Sequence, residues 1–167
     1  MCSMPDIPTV LDKFFEPNSV AAIGASATPG KPGNVLLKNI RDNGFERPVY
    51  PVNPRGGTIE GYKVLTSIDQ LPAGIDQAVV TLPAAQPPSV VRALASKGVE
   101  AIVLAASGFA EVDEMGEDLQ AELARVIAET GVRVFGPNTT GHVSPPAHYT
   151  SSFFPLGQVP RGSVSYI

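Results

Sequence analysis

The residues best suited to chemistry lie in one short stretch, SVAAIGASATPGKPGN, from Ser19 to Asn34. An apolar run is followed by glycines that permit close backbone approach, by hydroxyl side chains and by one lysine: Gly24, Ser26, Thr28, Gly30, Lys31 and Gly33. A helical pattern comes next, and the amino end of a helix attracts anions. The stretch therefore predicts a cradle for a phosphate group.

The glycine spacing departs from that of a dinucleotide site. Such a site has the pattern G-x-G-x-x-G, and an acidic residue at the end of the next strand binds the ribose. Here Ala25 and Ser26 follow Gly24, and the second apolar run ends in VNPR without a carboxylate. An NAD site is therefore disfavoured. Arg55 could bind an additional phosphate on a ribose, which both CoA and NADP carry, and the spacing does not choose between them.

The same residues also fit a structural role. Gly24 and Gly33 could serve close packing of strand and helix, while Ser26 and Thr28 cap the helix. Lys31 and Arg55, each taken alone, are as compatible with a solvated charge as with a ligand contact. Their shared position at one edge of the predicted sheet favours a ligand.

Five short apolar runs are separated by stretches with helical spacing. The runs are Val20 to Ala25, Val49 to Val52, Gln77 to Leu82, Ala101 to Ala106 and Val132 to Phe135. Continuously apolar strands are typical of a parallel sheet that is covered on both faces. The alternation predicts an α/β, Rossmann-like doubly wound fold, with a mainly parallel sheet, helices on both faces and a ligand crevice at the carboxyl ends of the strands.

Three longer helices and one short helix are predicted between these strands. The first covers Asn34 to Asn43 and stops at Gly44, and the second begins at Pro87 and ends at Gly98. The third ends at Gly131, begins among acidic residues and carries a stripe predicted to be buried: Met115, Leu119, Leu123 and Ile127. The short helix is expected near Ile68 and Leu71.

Length and composition predict one domain. The chain has 167 residues, of which 43% are hydrophobic, so one core fits and a second full domain does not. We predict this domain over residues 1–138, followed over residues 139–167 by a Gly/Pro/Ser-rich linker and the first strand of a further domain that the chain lacks. That strand is expected in GSVSYI, which ends at Ile167.

Charge and cysteine content limit the possible partners. The net charge is −4, which argues against nucleic acid as a partner. No run reaches the length of a membrane span, so no membrane partner is expected. The single cysteine, Cys2, has no partner for an internal disulfide, which favours the cytoplasm.

Five motifs in register resemble the N-terminal CoA-binding domain of NDP-forming acyl-CoA synthetases, the group that includes the succinyl-CoA synthetase alpha chain. The motifs are LDKFFEPNSVAAIGAS, VYPVNPRGG, VVTLPA, ASGFAE and GPNTTG. The resemblance covers the chain from about Leu11 to its end. One departure is Thr139, where the family often has a cysteine.

The resemblance implies that CoA, as a substrate, lies across the carboxyl ends of the strands. The loop from Gly24 to Gly33 would surround its nucleotide end, and the loop at Arg55 would contact phosphate. The segment after the third strand would flank adenine or pantetheine, and the segment after the fourth would line the arm that leads to the thiol, with Asn138 near the pantetheine end. The implied CoA-binding residues are Gly24, Ala25, Ser26, Thr28, Lys31, Gly33, Val52, Asn53, Pro54, Arg55, Leu82, Pro83, Ala84, Ala106, Ser107, Gly108 and Asn138.

The resemblance also implies the reaction of a complete enzyme, an acid–CoA ligase that converts acid, CoA and ATP into acyl-CoA, ADP and phosphate. A phosphohistidine domain and an ATP-grasp domain or subunit would be partners, ATP and ADP would bind only there, and the complete enzyme would be oligomeric. This chain alone is then expected to bind CoA without turnover. We predict no catalytic residue and no metal site in it, and no catalytic role for His142 or His148.

Two other functions stay open at this point. The chain could be the CoA-sensing module of a protein acetyltransferase, which sequence beyond Ile167 would reveal. It could also be an NADP-binding oxidoreductase domain, which the broken glycine pattern disfavours and Arg55 permits. Binding of NADP instead of CoA would support the second alternative.

Overall fold

The structure, a computed structural model, describes residues 7–163. Its helices are α1 (Ile7–Phe15), α2 (Pro32–Asp42), α3 (Pro87–Ser96) and α4 (Glu114–Thr130). Its strands are β1 (Val20–Ile23), β2 (Val49–Val52), β3 (Thr58–Ile59), β4 (Tyr62–Lys63), β5 (Gln77–Val80), β6 (Ala101–Leu104), β7 (Arg133–Phe135), β8 (Val143–Ser144) and β9 (Tyr149–Thr150). Single 3-10 turns cover Ile68–Gln70 and Pro145–Ala147.

Five strands form a parallel sheet in the order β2-β1-β5-β6-β7. The chain therefore moves outward from β1 to β2, returns past β1 to β5, and continues in the opposite direction. The order reverses between β1 and β5, and ligands of doubly wound folds bind outside the carboxyl ends of the strands at such a point. The predicted Rossmann-like α/β fold is confirmed.

Helices cover both faces of the sheet. In β1, Val20 and Ala22 join one buried cluster, which also holds Leu36 and Leu37 of α2. Alternate residues of the same strand join the other cluster, to which α3 and α4 contribute Val91, Leu94, Leu123 and Val126. Successive side chains of a strand point to opposite faces, so a strand between two helical layers must be apolar throughout. This explains the unbroken apolar runs of the sequence.

The helices follow their predicted ends closely. Asp113 accepts a hydrogen bond from the Gly116 amide and caps α4, and Gly131 ends that helix with a left-handed backbone. One predicted core residue is wrong, because Met115 is 73% exposed. Four-residue steps rotate about 40° too far per step on a helix of 3.6 residues per turn. Val126 occupies the buried position instead.

Three of the predicted strands are too long by two residues. The runs to Ala25, Leu82 and Ala106 end as strands at Ile23, Val80 and Leu104. Parallel pairing stops there, and Gly24 leaves the sheet direction with a φ of +89°. The six residues removed from the strands therefore belong to the loops that line the crevice.

Some elements lack any predicted counterpart, namely α1, the β3–β4 hairpin and the β8–β9 hairpin. The last of these lies in the segment after Phe135 that the sequence predicts to be a linker. Tyr149 of β9 is buried, and Asn39 of α2 donates a hydrogen bond to the carbonyl of Ser152. The domain boundary after residue 138 stays a prediction. Cys2 and the end of the predicted strand in GSVSYI lie outside the described residues.

Within residues 7–163, none of the helices combines the length and the apolar character needed to cross a membrane.

Candidate functional site

The loops after β1 and β5 meet at the point where the strand order reverses. The Thr81 hydroxyl donates to the carbonyl of Ile23 over 3.1 Å, and its oxygen lies 3.3 Å from the carbonyl oxygen of Gly24. A Cβ atom added to Gly24 would lie 2.9 Å from the Thr81 hydroxyl oxygen and 3.0 Å from a methyl carbon of Leu82. Gly24 is therefore required both by its left-handed backbone and by the close approach of the β5 loop.

Helix α2 begins directly against this turn. A Cβ atom on Gly33 would lie 2.1 Å from the carbonyl oxygen of Gly24 and 2.9 Å from the Cα of Ala25. The absence of a side chain at Gly33 thus brings the amino end of α2 to the carboxyl end of β1. The two glycines therefore serve close packing between strand and helix, as the structural alternative predicts. The same packing positions the amino end of α2 beside the crevice.

The amino end of α2 carries no neutralising group of its own. Lys31 at the N-cap position makes no side-chain capping bond, Pro32 takes the next position, and the first turn holds no acidic residue. Helix α4 differs, because Asp113 caps it and Glu114 and Glu117 lie in its first turn. The partial positive charge of the α2 end is therefore available to an anion, whereas that of α4 is compensated.

Ser26 stabilises the loop that precedes this helix. Its hydroxyl oxygen accepts a hydrogen bond from the Thr28 amide over 3.1 Å. Residues 27–31 of the loop are exposed. Part of the predicted phosphate cradle therefore has a defined turn geometry, with Thr28 and Lys31 accessible to solvent.

Asn53 joins the β1 and β2 loops. Its side-chain amide donates to the carbonyl of Ala25 over 2.7 Å, and its side-chain oxygen accepts from the Arg55 amide over 2.8 Å. The backbone amide of Asn53 also donates to the carbonyl of Leu65. These bonds place the exposed Arg55 on the same edge of the sheet as Lys31.

Neither Lys31 nor Arg55 takes part in an ion pair within the described part of the chain. Both side chains are exposed. Two cations that lie at one edge of the sheet beside an uncompensated helix end are a suitable environment for phosphate groups.

A cavity of about 400 Å³ lies beside the cradle, above the carboxyl ends of β5 and β6. Five of the predicted CoA-binding residues line it: Leu82, Pro83, Ala106, Ser107 and Asn138. Asn138 reaches it because its amide donates to the carbonyl of Ala106 over 2.9 Å and its backbone is left-handed, with a φ of +54°. The cavity also includes Pro32 of α2, so it begins where the cradle ends.

Other predicted site residues turn their side chains into the core. Ala25, Val52 and Ala84 are buried within the two hydrophobic clusters. Only their backbone atoms could contact a ligand. Pro54 is exposed beside Arg55, so the β2 loop presents its proline and arginine to solvent while Val52 anchors it.

The loop after β6 is held by an acidic side chain. The Glu111 carboxylate accepts hydrogen bonds from the amides of Gly108 and Phe109, over 2.7 and 3.1 Å. These bonds lower the pKa of Glu111, with the Gly108 bond contributing most. The side chain of Phe109 is fully buried and anchors the same loop in the core. Hydrogen bonds to the backbone and packing of Phe109 therefore both fix the loop that carries Ser107 and Gly108.

Sequence reasoning missed several residues of the site. The cavity is also lined by Pro32, Thr81, Ala105, Thr139, Thr140, Phe153 and Phe154. Thr81 and Ala105 lie beside predicted residues at strand ends, so their positions could have indicated them. The two phenylalanines could have been noticed as an aromatic pair in an otherwise polar stretch, but nothing local relates them to the crevice.

His142 has a structural environment. Its Nε2 donates to the Phe14 carbonyl over 2.6 Å, and its Nδ1 lies 2.8 Å from the Ser151 hydroxyl. A carbonyl only accepts hydrogen bonds, so Nε2 carries the proton and Nδ1 of the neutral ring accepts from Ser151. Burial lowers the pKa of His142. His148 is exposed, in the turn between β8 and β9.

Among residues 7–163, no cluster of histidine, cysteine and acidic side chains has the arrangement of a metal site.

Comparison with known proteins decides the family. A family model described as a CoA binding domain matches residues 18–145, which include the cradle, the β2 loop and the cavity residues up to Thr140. The chain belongs to this CoA-binding domain family. The resemblance to the CoA-binding domain of acyl-CoA synthetases is thereby confirmed.

Relatives of this CoA-binding domain occur within ligases. The chain is 39% identical over 154 residues to the alpha subunit of ADP-forming acetate–CoA ligase I from Pyrococcus furiosus, which covers 90% of the chain and 33% of that subunit. It is 41% identical over 131 residues to a trans-feruloyl-CoA synthase from an unknown prokaryotic organism, which covers 78% of the chain and 18% of that protein.

A solved structure has the same fold. It is dinucleotide-forming acetyl-coenzyme A synthetase 1 of Ca. Korarchaeum cryptofilum in complex with phosphate and ADP. The TM-score is 0.80 at 35% identity, and the match covers 86% of this chain and 30% of that one. The chain thus spans about a third or less of the length of each of these three proteins.

Proposed function

We propose that this chain binds CoA across the carboxyl ends of β1, β2, β5 and β6 and serves as the CoA-binding part of an ADP-forming acid–CoA ligase. The observation that carries the proposal is the junction of two different environments in one crevice. An uncompensated helix end with Lys31 and Arg55 is suited to phosphates, and the adjoining cavity is lined by neutral residues suited to an uncharged arm.

The phosphates of CoA would lie at the loop from Gly24 to Gly33. Backbone amides at the start of α2, the Thr28 hydroxyl and Lys31 would donate to the diphosphate. Arg55 would bind the 3′-phosphate on the ribose, because a guanidinium can donate two parallel hydrogen bonds to a phosphate. Asn53 would act mainly by holding the loops of Ala25 and Arg55 together.

The pantetheine arm would pass through the cavity. Leu82 and Pro83 would contact it on one side and Ala106 and Ser107 on the other, while Asn138 would lie near the thiol. Gly108 would contribute its backbone, which Glu111 holds in place. This chain would contribute to catalysis by positioning the CoA thiol. A thiol that is held in place reacts with an acyl group without the entropic cost of bringing two free molecules together.

The complete reaction would convert acid, CoA and ATP into acyl-CoA, ADP and phosphate. We propose that a phosphohistidine domain and an ATP-grasp domain or subunit supply the acyl phosphate and bind ATP or ADP. The relatives named above, one of them a ligase subunit and one a solved structure that contains phosphate and ADP, support this arrangement. A cytoplasmic location and an oligomeric complete enzyme stay predictions.

Calorimetric titration of the chain with CoA, dephospho-CoA and NADP tests the proposal. We expect CoA to bind, and dephospho-CoA, which lacks the 3′-phosphate, to bind about tenfold more weakly. Arg55→Ala should weaken CoA binding to a similar extent and leave dephospho-CoA binding unchanged. Arg125→Ala, a change at an exposed arginine of α4, is the matched control and should leave both affinities unchanged.

Two results would contradict the proposal. Binding of NADP without binding of CoA would favour the oxidoreductase alternative. Equal losses of CoA affinity in Arg55→Ala and Arg125→Ala would show a general effect of net charge and would remove Arg55 from the site. The acetyltransferase alternative shares the CoA site, so turnover of acid, CoA and ATP in the presence of the proposed phosphohistidine and ATP-grasp domains separates a ligase from it.

A further inference from the structure

Two neighbouring phenylalanines from outside the predicted site line the cavity. Phe153 is partly buried against the core, and Phe154 is 52% exposed. Their ring centroids are 5.0 Å apart with an interplanar angle of 32°. Together they contribute an aromatic surface to the cavity that Asn138 and Thr139 also line.

A buried asparagine of α2 holds this pair in place. The Asn39 side-chain amide donates to the carbonyls of Ser152 and Phe154, over 2.9 and 2.7 Å. Its side-chain oxygen accepts from the Leu156 amide. Asn39 is 2% exposed, so these bonds are made away from water, where leaving them unmade would be costly. The aromatic wall is therefore attached to the rigid helix that also forms the phosphate cradle.

The end of the cavity near Asn138 contains no charge. The lining residues other than the two phenylalanines are small, apolar or neutral polar: Pro32, Thr81, Leu82, Pro83, Ala105, Ala106, Ser107, Asn138, Thr139 and Thr140. A neutral, partly aromatic wall favours an apolar group over an ionic one.

We infer that Phe153 and Phe154 form the surface against which the acyl group of an acyl-CoA packs, and that they determine its preferred size. The inference rests on the proposed function, in which the thiol end of CoA lies near Asn138. It assigns substrate selection to residues outside the five motifs by which the domain is recognised. Relatives named for acetate and for trans-ferulate show that similar domains occur in enzymes of small and of bulky acids.

The test measures the affinity of the chain for CoA, acetyl-CoA and phenylacetyl-CoA. For Phe154→Ala we expect the affinity for phenylacetyl-CoA to fall about fivefold to tenfold, because an aromatic contact is lost. The affinities for CoA and acetyl-CoA should change by less than about twofold. Phe154→Leu, which retains an apolar side chain, should give an intermediate loss.

Phe15→Ala is the matched control. Phe15 is 48% exposed, similar to Phe154, but it lies on α1 and does not line the cavity. It should leave all three affinities unchanged, and thermal unfolding should show that each variant is folded.

The possible failures can be distinguished. Wild-type chain that does not bind CoA would overturn the proposed function and this inference with it. If the wild-type chain binds CoA, any of three results for Phe154→Ala would overturn this inference alone. The variant would change the affinity for all three ligands equally, change none of them, or bind phenylacetyl-CoA more tightly.

Discussion

The side-chain amide of Asn53, just after β2, lies 2.7 Å from the carbonyl oxygen of Ala25, just after β1, and donates a hydrogen bond to it. The oxygen of the same side chain accepts from the Arg55 amide. One asparagine therefore fixes two neighbouring loops relative to each other. Asn53 therefore positions the loop after β1 and Arg55, which are the parts of the proposed phosphate site. Both polar atoms of its side chain are already hydrogen-bonded within the protein.

Asn53→Ala should consequently weaken CoA binding without removing any charge from the site. Two hydrogen bonds would be lost, so we expect the free energy of unfolding to fall by about 1 to 2 kcal/mol. CoA affinity should fall several-fold because Arg55 is no longer held in place, whereas a loss of stability alone leaves the affinity of a folded chain unchanged. Urea denaturation gives the first quantity and calorimetric titration the second.

A double variant separates placement from direct contact. If Asn53 acts through Arg55, Asn53→Ala should have little additional effect on CoA affinity in an Arg55→Ala background. Fully additive losses would contradict this and would indicate that Asn53 contributes independently of Arg55.

Gly33→Ala should disrupt the junction between α2 and β1. The added Cβ would lie 2.1 Å from the Gly24 carbonyl oxygen, so either the helix or the turn must move. We expect a loss of about 3 kcal/mol in unfolding free energy, which chemical denaturation would measure.

Gly30→Ala is the control for this prediction. A Cβ at Gly30 would meet no atom within 4 Å, but its φ of +80° lies in the left-handed region. Its cost should therefore be about 1 to 2 kcal/mol, from backbone strain alone. A loss at Gly33 no larger than that at Gly30 would show that the close contact relaxes cheaply.

Local signals account for the part of the fold that could be predicted. Ala101–Leu104 is buried on both faces and is apolar at every position, and Gly131 ends α4 in the conformation that glycine favours. The apolar run depends on burial of the strand within the sheet, and the glycine depends on the backbone of one helix end. Both features can therefore be recognised in a short stretch of sequence.

Long-range hydrogen bonds account for what was missed. Asn39 is separated from Ser152 by 113 residues, and no spacing rule relates an asparagine on a helix to a distant carbonyl. The same holds for α1, whose last turn is held by the Gln77 side chain through bonds to the carbonyls of Lys13 and Phe14. The turn between β1 and α2 was therefore predictable from the sequence, whereas the position of Phe153 and Phe154 beside the cavity was not.

Stability should depend on the protonation of His142. In the folded protein burial lowers its pKa below the ordinary 6.5, while the unfolded chain retains the ordinary value. Between the two values the unfolded state binds more protons, so stability falls as the pH is lowered through 6.5 towards the folded pKa. Above about pH 7 this contribution should be constant.

Urea denaturation at intervals between pH 8 and pH 5 would measure this dependence. His142→Gln does not titrate, and it should flatten the fall in stability between pH 7 and pH 5. His148→Gln is the control, because His148 is exposed in a turn, and it should leave the slope unchanged. An equal slope in wild type and His142→Gln would show that other groups cause the dependence.

Succinyl-CoA should bind more weakly than butyryl-CoA. The two acyl groups have similar length, and a carboxylate in the first replaces a methyl group in the second. No charged side chain is among the twelve residues that line the cavity, so the carboxylate would lose water without gaining a cation. We expect a difference of about tenfold or more in affinity, measured by competition with CoA.

A cation placed in the cavity should reverse that preference. Thr140 lines the cavity and is exposed, so Thr140→Arg can be accommodated and would bring a guanidinium to the acyl end. It should tighten succinyl-CoA binding relative to butyryl-CoA, whereas Thr140→Gln, of similar length without the charge, should not. If wild-type chain binds both acyl-CoAs equally and Thr140→Arg changes nothing, the acyl group lies elsewhere, because a buried carboxylate would respond to a nearby positive charge.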